Sequence, residues 1–319
     1  MTSYKIDTRL GVDLGGTKIE AIVMAPDGDI ILRERVATPK DDYDAIVAAT
    51  VTLIQKVAKQ ASLHERLPVG IGTPGTVSQK TGKMKNCNST CLNGRPLRED
   101  LENSLGRAVR MANDADCFAL SEASDGAGRD ARSVFGVILG TGVGGGLVYD
   151  RHLLVGANAI AGEWGHTTLP LAAFQPDGPD LVPFHPRRCY CDRDNCVESW
   201  LSGPGFELSY AQLTGHSLPA SEIERLALES DDQALALFDH YCNLLALALS
   251  TVINIVDPEV IVLGGGMSNT SMLYTDVVHY LPRYVFSDQV ITAIRPATHG
   301  DSSGVRGAAW LWSVGESYS

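Results

Sequence analysis

Hydrophobic and polar positions alternate in short runs near the start of the chain. Apolar alternation over residues 9–13, 17–24 and 30–36 predicts three strands. The turn sequence "PDGD" at residues 26–29 separates the second run from the third, because Pro, Asp and Gly favour tight turns. We therefore predict an antiparallel meander of three strands at the beginning of the fold.

Helical and strand-like patterns follow the meander in a mixed order. Helical periodicity marks residues 42–61, 115–124, 235–256 and 304–312. Short apolar runs predict strands at residues 69–72, 109–112, 134–139, 146–149 and 260–263. This mixture of helices and strands is typical of an α/β protein.

Two segments of the sequence are similar to each other. The segment "GVDLGGTKIEAIV" begins at Gly11 and the similar segment "GVILGTGVGGGLV" begins at Gly136. Both predict a strand, a glycine turn and a second strand, which favours a duplicated fold with two similar halves and a cleft between them. Residues 165–200 are rich in Pro, Gly, Arg and Cys, and we expect them to form an insertion in the second half.

The amino-acid composition and the net charge indicate the broad class of protein. The chain has 319 residues, of which 44% are apolar and 20% are charged, as in an ordinary soluble globular protein. The net charge of −12 disfavours binding to nucleic acids and to anionic membranes, which require a basic face. The sequence shows neither a signal-peptide pattern nor an apolar run of ~20 residues. We therefore expect a cytoplasmic protein whose partners include neither nucleic acid nor membrane.

The first of three glycine loops is "DLGGTK", which begins at Asp13. Glycines allow backbone N–H groups to approach phosphate oxygens closely, and an adjacent aspartate is suited to hold Mg²⁺ through water. The loop residues that we predict to surround phosphates are Gly15, Gly16, Thr17 and Lys18. A tight hairpin turn without a ligand is the alternative interpretation.

The second glycine loop, "GTGVGGG" at residues 140–146, contains a G-x-G-x-x-G pattern. We reject a Rossmann interpretation, because the following residues are strand-like and that fingerprint requires a helix there. A glycine hairpin that binds a second phosphate through Thr141 and Gly142 is the better prediction. The third loop begins with Gly264 and Gly265 at the end of a predicted strand, and the three loops together indicate bound ATP.

Two polar residues follow the predicted strand at residues 109–112. A carboxylate at a strand end, such as that of Asp114, is suited to act as a general base toward a substrate hydroxyl. Asn113 or Asp114 is equally suited to cap the following helix. The two interpretations are compatible with each other.

Three of the seven cysteines share a C-x-C-x₄-C spacing: Cys189, Cys191 and Cys196. Three thiolates provide most of a structural zinc site, which requires four ligands. Spacing alone leaves His166 and His185 equally plausible as the fourth ligand. We expect the other four cysteines to be reduced structural thiols.

Several motifs together resemble the ROK family of bacterial sugar kinases: "DLGGTK", "GIGTPG", "NDADC", "LGTGVGGG", "AGEWGH", "CYCDRDNCVES", "SGPG" and "VIVLGGGMSN". The resemblance implies an actin-like (ribonuclease-H-like) ATPase fold with two domains around a cleft and a zinc-binding insertion. The segments "NSTCLNGRPL" and "HGDSSGVRGAAWLW" look most like the fructokinase and mannokinase branch, with N-acetylglucosamine kinase as the alternative. We therefore expect phosphorylation of fructose or mannose at the C6 hydroxyl.

The resemblance also assigns the fourth zinc ligand, which would be His166 rather than His185. Zinc would then tie together two sides of a sugar pocket, because Glu163 and His166 precede the insertion and Glu198 follows it. The sequence departs from the family pattern C-x-C-G-x-x-G-C, because Asp192 and Asn195 replace the two glycines. Asp and Asn tolerate left-handed backbone conformations best after Gly, so we expect the turn to survive.

The resemblance implies a role for each remaining candidate. Asp114 would accept the proton of the sugar hydroxyl, and Asp13 would position Mg²⁺, while Gly264 and Gly265 would flank adenosine. The sugar-binding residues would be Gly75, Asn113, Asp114, Glu163, His166 and Glu198. The implied ligands are ATP, Mg²⁺, structural Zn²⁺ and a hexose, and the family is often dimeric, which predicts a homodimer.

The expected domains are residues 1–112, completed by residues 304–319, and residues 113–303 with the zinc knuckle at 166–196. A sugar-responsive ROK repressor is the alternative from another class of protein. It is disfavoured, because only about eight residues precede the first predicted strand, which leaves no room for a helix-turn-helix domain.

Overall fold

The computed structural model describes residues 4–178 and 181–318. The chain forms two compact units. Unit 1 comprises Met1–Arg129, Gly146–Ala161 and His299–Ser319, and unit 2 comprises Asp130–Gly145 and Gly162–Thr298. This division differs from the boundary expected at residue 112, because the helix that follows this boundary packs closely against the last helix of the chain within unit 1.

Strands and helices alternate along the described residues. The strands are β1 (Tyr4–Lys5), β2 (Arg9–Leu14), β3 (Lys18–Met24), β4 (Ile30–Ala37), β5 (Val69–Thr73), β6 (Thr76–Val77), β7 (Met84–Lys85), β8 (Val109–Asn113), β9 (Ser133–Leu139), β10 (Val143–Tyr149), β11 (His152–Leu153), β12 (Val260–Gly264), β13 (Ala293–Pro296) and β14 (Ser317–Tyr318). The α-helices are α1 (Tyr43–Gln60), α2 (Leu97–Leu105), α3 (Asp114–Ser124), α4 (Val197–Leu201), α5 (Gly203–Thr214), α6 (Ala220–Leu228), α7 (Asp232–Val256), α8 (Met272–Tyr280) and α9 (Ser303–Trp310).

The main sheet of unit 1 has the order β4-β3-β2-β5-β8. The predicted meander is confirmed, since β2, β3 and β4 pair antiparallel. Strands β2, β5 and β8 run parallel, with Asp13 opposite Gly72 and Thr73 opposite Asn113. Because parallel strands end at the same edge of a sheet, this register places Asp13 and Asn113 at one edge.

Helix α9 packs on this sheet at very short range. A Cβ added to Gly70 of β5 would lie 1.7 Å from the carbonyl oxygen of Ala308. A Cβ added to Gly307 would lie equally close, 1.7 Å, to the carbonyl oxygen of Cys117 in α3. Only glycine permits such backbone contact, so these residues allow α9 to lie between the sheet and α3.

Unit 2 is built on the parallel strands β9, β12 and β13. Val260 of β12 pairs with Val134 on one side and with Ala293 on the other. Helix α7 begins three residues before the predicted start, because the side chain of Asp231 accepts a hydrogen bond from the backbone N–H of Ala234 and caps it there. Among the described helices, α7 has the length and composition to cross a membrane, but most of its side chains are buried, as in a soluble core helix.

Candidate functional site

The first glycine loop of unit 1 closes the β2–β3 hairpin. The backbone N–H of Gly15 donates to the carbonyl oxygen of Lys18 over 3.0 Å, so the loop is a tight turn. Gly16 and Thr17 are exposed at its tip, and Asp13 lies half-buried just before it. The hairpin alternative is therefore correct as a description of the backbone, and it leaves the tip accessible to a ligand.

Carboxylates crowd around Asp13. Burial, together with the negative charges of Asp114 and Glu20, raises the pKa of Asp13 to about 6, although the positive charge of Lys18 opposes the shift. The amino end of α9 is also close, since a Cβ added to Gly304 would lie 3.5 Å from Oδ2 of Asp13. Carboxylates that repel one another in a partly dry environment are suited to a divalent cation, which would relieve the repulsion.

A cluster of basic residues that sequence reasoning missed lies beside the loop. Glu20 is buried, and its carboxylate is 2.7 Å from Nε of Arg35, 3.1 Å from Nε of Arg33 and 3.7 Å from Nζ of Lys18. The Lys18 ammonium therefore lies beside the buried carboxylate of Glu20. The available signal was the alternation of Arg33 and Arg35 on one face of β4, opposite the acidic position on β3.

Asn113 and Asp114 mark the passage from β8 to α3. The side chain of Asn113 accepts a hydrogen bond from the backbone N–H of Asp116 over 2.6 Å, so Asn113 is the helix cap. Asp114 keeps a solvent-accessible surface, yet crowding by the protein raises its pKa, against the hydrogen bond from the backbone N–H of Ala115. An accessible carboxylate with a raised pKa is suited to take up a proton from a bound hydroxyl.

Gly75 lies where the backbone of two segments meets. The Thr73 hydroxyl donates to the carbonyl oxygen of Gly75 over 2.8 Å. A Cβ added to Gly75 would lie 2.5 Å from Sγ of Cys87, so a side chain has no room. The structure thus explains this glycine by close packing, and its predicted contact with a sugar remains a proposal.

In unit 2, the second glycine loop is joined to Glu198 of α4. The backbone N–H of Val143 donates to Oε2 of Glu198 over 2.9 Å, and a Cβ added to Gly142 would lie 2.7 Å from the same oxygen. Thr141 at the tip is exposed. As predicted, the loop leads into a strand, β10, rather than a helix, which agrees with the rejection of a Rossmann site.

The third loop meets the second at the end of the sheet. Gly264 pairs with Ile138 in the β9–β12 ladder. Gly265 has a φ of +85°, and a Cβ there would lie 2.3 Å from the carbonyl oxygen of Leu139. Both the backbone conformation and the close contact require glycine. The two loops predicted to bind nucleotide in unit 2 therefore share one sheet edge.

The segment "GEWGH" packs against the glycine loop. Nε1 of Trp164 donates to the carbonyl oxygen of Gly144 over 3.0 Å. A Cβ added to Gly165 would lie 2.0 Å from the carbonyl oxygen of Val143, so this position also requires glycine. These contacts hold the short 3₁₀ turn Trp164–His166, which positions the half-buried side chains of Glu163 and His166.

A group of four potential metal ligands forms next to this turn. The ligand atoms of His166, Cys189, Cys191 and Cys196 all lie within 4.8 Å of one another. Nδ1 of His166 is 3.6 Å from Sγ of Cys189, and Sγ of Cys191 is 3.5 Å from Sγ of Cys196. Among the described residues, His185 is not part of the group. Three thiols and one imidazole are the donor set of a structural zinc site, so the residues present fit zinc.

The two residues that stand in place of family glycines in the cysteine turn adopt the expected left-handed backbone conformation. Asp192 has a φ of +65° and Asn195 has a φ of +56°, both in the left-handed region. The side chain of Asn195 also accepts a hydrogen bond from the backbone N–H of Arg187 over 2.9 Å. Asn195 therefore supplies the required conformation together with a contact that glycine lacks.

Sequence reasoning missed Tyr190, which stands between two of the cysteines. Its hydroxyl is 2.8 Å from Nε2 of His166, and the two rings meet edge to face at 5.0 Å. Burial of the hydroxyl, together with the negative charges of Glu198 and Glu163, raises the pKa of Tyr190 to about 12. Oε1 of Glu198 lies 4.0 Å from Sγ of Cys189, which is itself 3.6 Å from Nδ1 of His166, so Glu198 and His166 lie on the same side of the cysteine turn as Cys189.

Comparison with known proteins corrects the expected substrate branch. The chain is 43% identical over 301 residues to an N-acetyl-D-glucosamine kinase from Photobacterium profundum, covering 94% of this chain and 98% of that protein. The expectation of a fructokinase or mannokinase was therefore wrong. One of the two segments that supported it, "HGDSSGVRGAAWLW", contains α9, which packs on the sheet of unit 1; in the other, "NSTCLNGRPL", Asn93 accepts a hydrogen bond from the backbone N–H of Cys87.

Two solved structures share the fold over nearly the whole chain. A ROK hexokinase from Thermus thermophilus is 28% identical with a TM-score of 0.81, covering 95% of this chain and 97% of that one. A ROK family glucokinase from Streptomyces griseus, solved with glucose and AMPPNP, is 26% identical with a TM-score of 0.74, covering 95% and 98%. The expected α/β, actin-like ATPase fold with two domains is confirmed.

The ROK family profile matches residues 9–314, almost the full length of the chain. The glycine loops, the strand-end carboxylates and the group of one histidine and three cysteines described above all fall within this match. The chain therefore belongs to the ROK family of sugar kinases.

Proposed function

We propose that the protein is an ATP-dependent kinase that phosphorylates the C6 hydroxyl of N-acetylglucosamine. The observation that carries this proposal is the 43% identity to an N-acetyl-D-glucosamine kinase across nearly the full length of both chains. The candidate site supports a kinase, because phosphoryl transfer requires chiefly positioning of the reactants and neutralisation of charge. Glycine loops and clustered carboxylates are suited to both tasks.

The glycine loops and Asp13 are proposed to bind the nucleotide. Backbone N–H groups at Gly16 and Thr17, with the ammonium of Lys18, would bind phosphate oxygens, and Gly15, whose own N–H closes the turn, would allow the phosphates to approach closely. In unit 2, Thr141 and Gly142 would contact phosphates, and Gly264 and Gly265 would flank adenosine. Mg²⁺, when bound, neutralises the phosphate charge, and Asp13 would hold it through water.

The remaining polar residues are proposed to bind and activate the sugar. Asp114 accepts the proton of the C6 hydroxyl, and Asn113 holds a neighbouring hydroxyl while it caps α3. The other proposed sugar contacts are Gly75, Glu163, His166 and Glu198. The hydrogen bond from Val143 to Glu198 would link a sugar contact to the phosphate-binding loop within unit 2.

Zinc is proposed to be structural. His166, Cys189, Cys191 and Cys196 would hold it, and it would stabilise the turn that carries Tyr190 and precedes Glu198. No catalytic step requires the metal, since the four protein ligands complete its tetrahedral coordination.

The protein is further proposed to be a cytoplasmic homodimer without a nucleic-acid partner. The net charge of −12 supports the last point, because binding to a polyanion would be opposed by repulsion. The match to a ROK family glucokinase solved with AMPPNP supports ATP as the second substrate.

A coupled assay with N-acetylglucosamine, glucose, mannose and fructose tests the proposed substrate. We expect the highest kcat/KM with N-acetylglucosamine, because the closely similar relative named above acts on this sugar. Mass spectrometry and NMR of the product should show a phosphate on the C6 oxygen. A higher kcat/KM for any of the other three sugars would contradict the proposed substrate, and no turnover with any sugar would favour a binding protein.

The substitution Asp13→Asn tests the crowding of carboxylates. Because the pKa of Asp13 is raised to about 6 in the folded chain, ionisation of Asp13 lowers the free energy of unfolding. This loss of stability is absent below about pH 4, where Asp13 is protonated in the folded and unfolded chain, and complete above about pH 7. At about pH 8, Asp13→Asn should stabilise the ligand-free protein by about 1–2 kcal/mol, allowing for partial solvation, while it lowers kcat. Urea unfolding across pH measures the first effect. The exposed Asp7→Asn serves as the control, and a destabilising Asp13→Asn would contradict the argument.

A further inference from the structure

Tyr190 occupies a specific position relative to the proposed zinc ligands. It stands between Cys189 and Cys191, and zinc bound by these two cysteines would restrict the backbone of Tyr190. Tyr190 is nevertheless 74% exposed. A side chain with an anchored backbone and an exposed ring is free to rotate about its own bonds while the turn stays in place.

The hydroxyl of Tyr190 meets the one nitrogen of His166 that zinc would leave available. Nδ1 of His166 faces Sγ of Cys189 at 3.6 Å, whereas Nε2 is 2.8 Å from the Tyr190 hydroxyl. A neutral imidazole that binds a metal through Nδ1 carries its proton on Nε2. With zinc on Nδ1, the Nε2–H group of His166 would donate to the oxygen of Tyr190, and this bond would favour the tautomer that the metal requires.

His166 is also a proposed sugar contact, and with zinc on Nδ1 the Nε2–H group is the donor that its ring would offer to a sugar hydroxyl. One N–H group makes one strong hydrogen bond, so the oxygen of Tyr190 and a sugar hydroxyl compete for it. Oε1 of Glu198, another proposed sugar contact, lies 4.0 Å from Sγ of Cys189, beside His166, so a sugar that contacts both Glu198 and His166 would reach the place where the Tyr190 hydroxyl now lies.

We propose that Tyr190 is an exchangeable positioning residue for His166. Without sugar, the Tyr190 hydroxyl accepts the hydrogen bond of Nε2 and keeps Nδ1 directed at the metal. When N-acetylglucosamine binds, one of its hydroxyls replaces the Tyr190 oxygen and the ring rotates outward. This inference rests on the proposed zinc site and sugar substrate, and it assigns no chemical step to Tyr190.

The substitution Tyr190→Phe, which keeps the ring and removes the hydrogen-bond acceptor, tests the exchange. The measurement is the rate of zinc transfer from the full-length protein to the chromogenic chelator 4-(2-pyridylazo)resorcinol. Without sugar, Tyr190→Phe should release zinc about tenfold faster than the wild type, the lower end of the effect usual for lost partners of a ligating histidine. With saturating N-acetylglucosamine, the two rates should coincide, because the sugar replaces Tyr190 in both proteins.

Sugar binding provides the second measurement. In calorimetry without ATP, Tyr190→Phe should bind N-acetylglucosamine at least as tightly as the wild type, and up to about fivefold more tightly, because no existing hydrogen bond must be exchanged. The exposed tyrosine Tyr149, outside the cysteine turn, provides the control Tyr149→Phe, for which we expect wild-type release and affinity.

Each contrary result has its own meaning. Equal zinc release by Tyr190→Phe and wild type without sugar, faster release that persists with sugar, or clearly weaker sugar binding would overturn the inference. A wild-type protein without zinc would overturn the proposed zinc site and this inference together. If zinc release by the wild type and by Tyr190→Phe differs as expected but the wild type does not bind N-acetylglucosamine, the result would contradict the proposed substrate and support the contact between Tyr190 and His166.

Discussion

The substitution Asp114→Asn is expected to lower kcat by about 10²–10⁴, the usual effect of removing a general base. The amide keeps the shape of the side chain but does not accept the proton of the sugar hydroxyl. The helix cap is retained, because Asn113 and not Asp114 accepts the hydrogen bond from the N–H of Asp116. We therefore expect a melting temperature and a sugar affinity close to those of the wild type, so that the loss appears in kcat.

The matched control for this prediction is Asp116→Asn. Asp116 lies in the same first turn of α3 and is 9% exposed, but it is not among the proposed site residues. We expect Asp116→Asn to retain kcat within a few-fold. If Asp114→Asn kept wild-type turnover and mainly lowered the melting temperature, the role of Asp114 would be structural, and Glu163 would be the next candidate for the base.

The second large effect is expected from the proposed zinc site. The wild type should contain one zinc per chain after dialysis, because four ligand atoms already lie within 4.8 Å of one another. The substitution Cys191→Ser should abolish zinc binding and lower the free energy of unfolding by several kcal/mol, because binding of a structural metal contributes directly to folding. Metal analysis and thermal unfolding measure the two effects, and activity should fall with them.

The control for the zinc prediction is Cys91→Ser. Cys91 is a partly buried cysteine outside the group of metal ligands, so we expect this variant to keep its zinc and to unfold near the wild-type temperature. A wild-type protein that stays active and folded after a chelator has removed all metal would contradict a structural role for zinc.

Much of the fold follows from local patterns. The alternation over the first strands predicted the β2–β3–β4 meander, and helical periodicity predicted α1, α3, α7 and α9. The patterns did not predict α2, α4 and α8, nor the helices α5 and α6 between the cysteine turn and α7. Helix α5 begins with "GPG", and these residues usually break helices; here the Ser202 side chain caps the helix and Pro204 lies in its first turn. Strand β13 is short and only partly buried, so it carries little periodic signal.

Some features of the candidate site likewise follow from the local sequence, and others depend on contacts between distant segments. The sequence by itself determined the loops that present backbone N–H groups, the strand-end carboxylates Asp13 and Asp114, and the spacing of the three cysteines, because each is a property of a few consecutive residues. It left His166 and His185 equally plausible as the fourth ligand until family resemblance was considered.

Only the tertiary structure decided the contacts between distant segments. It brought His166 rather than His185 to the cysteines, placed the Tyr190 hydroxyl on Nε2 of His166, and joined Glu198 to the backbone of Val143. The physical reason is close packing across the chain: glycines such as Gly165 allow backbones to approach to a distance that no periodic pattern records. Short stretches of sequence specify the candidate reacting groups, and packing between remote segments determines which residues those groups contact.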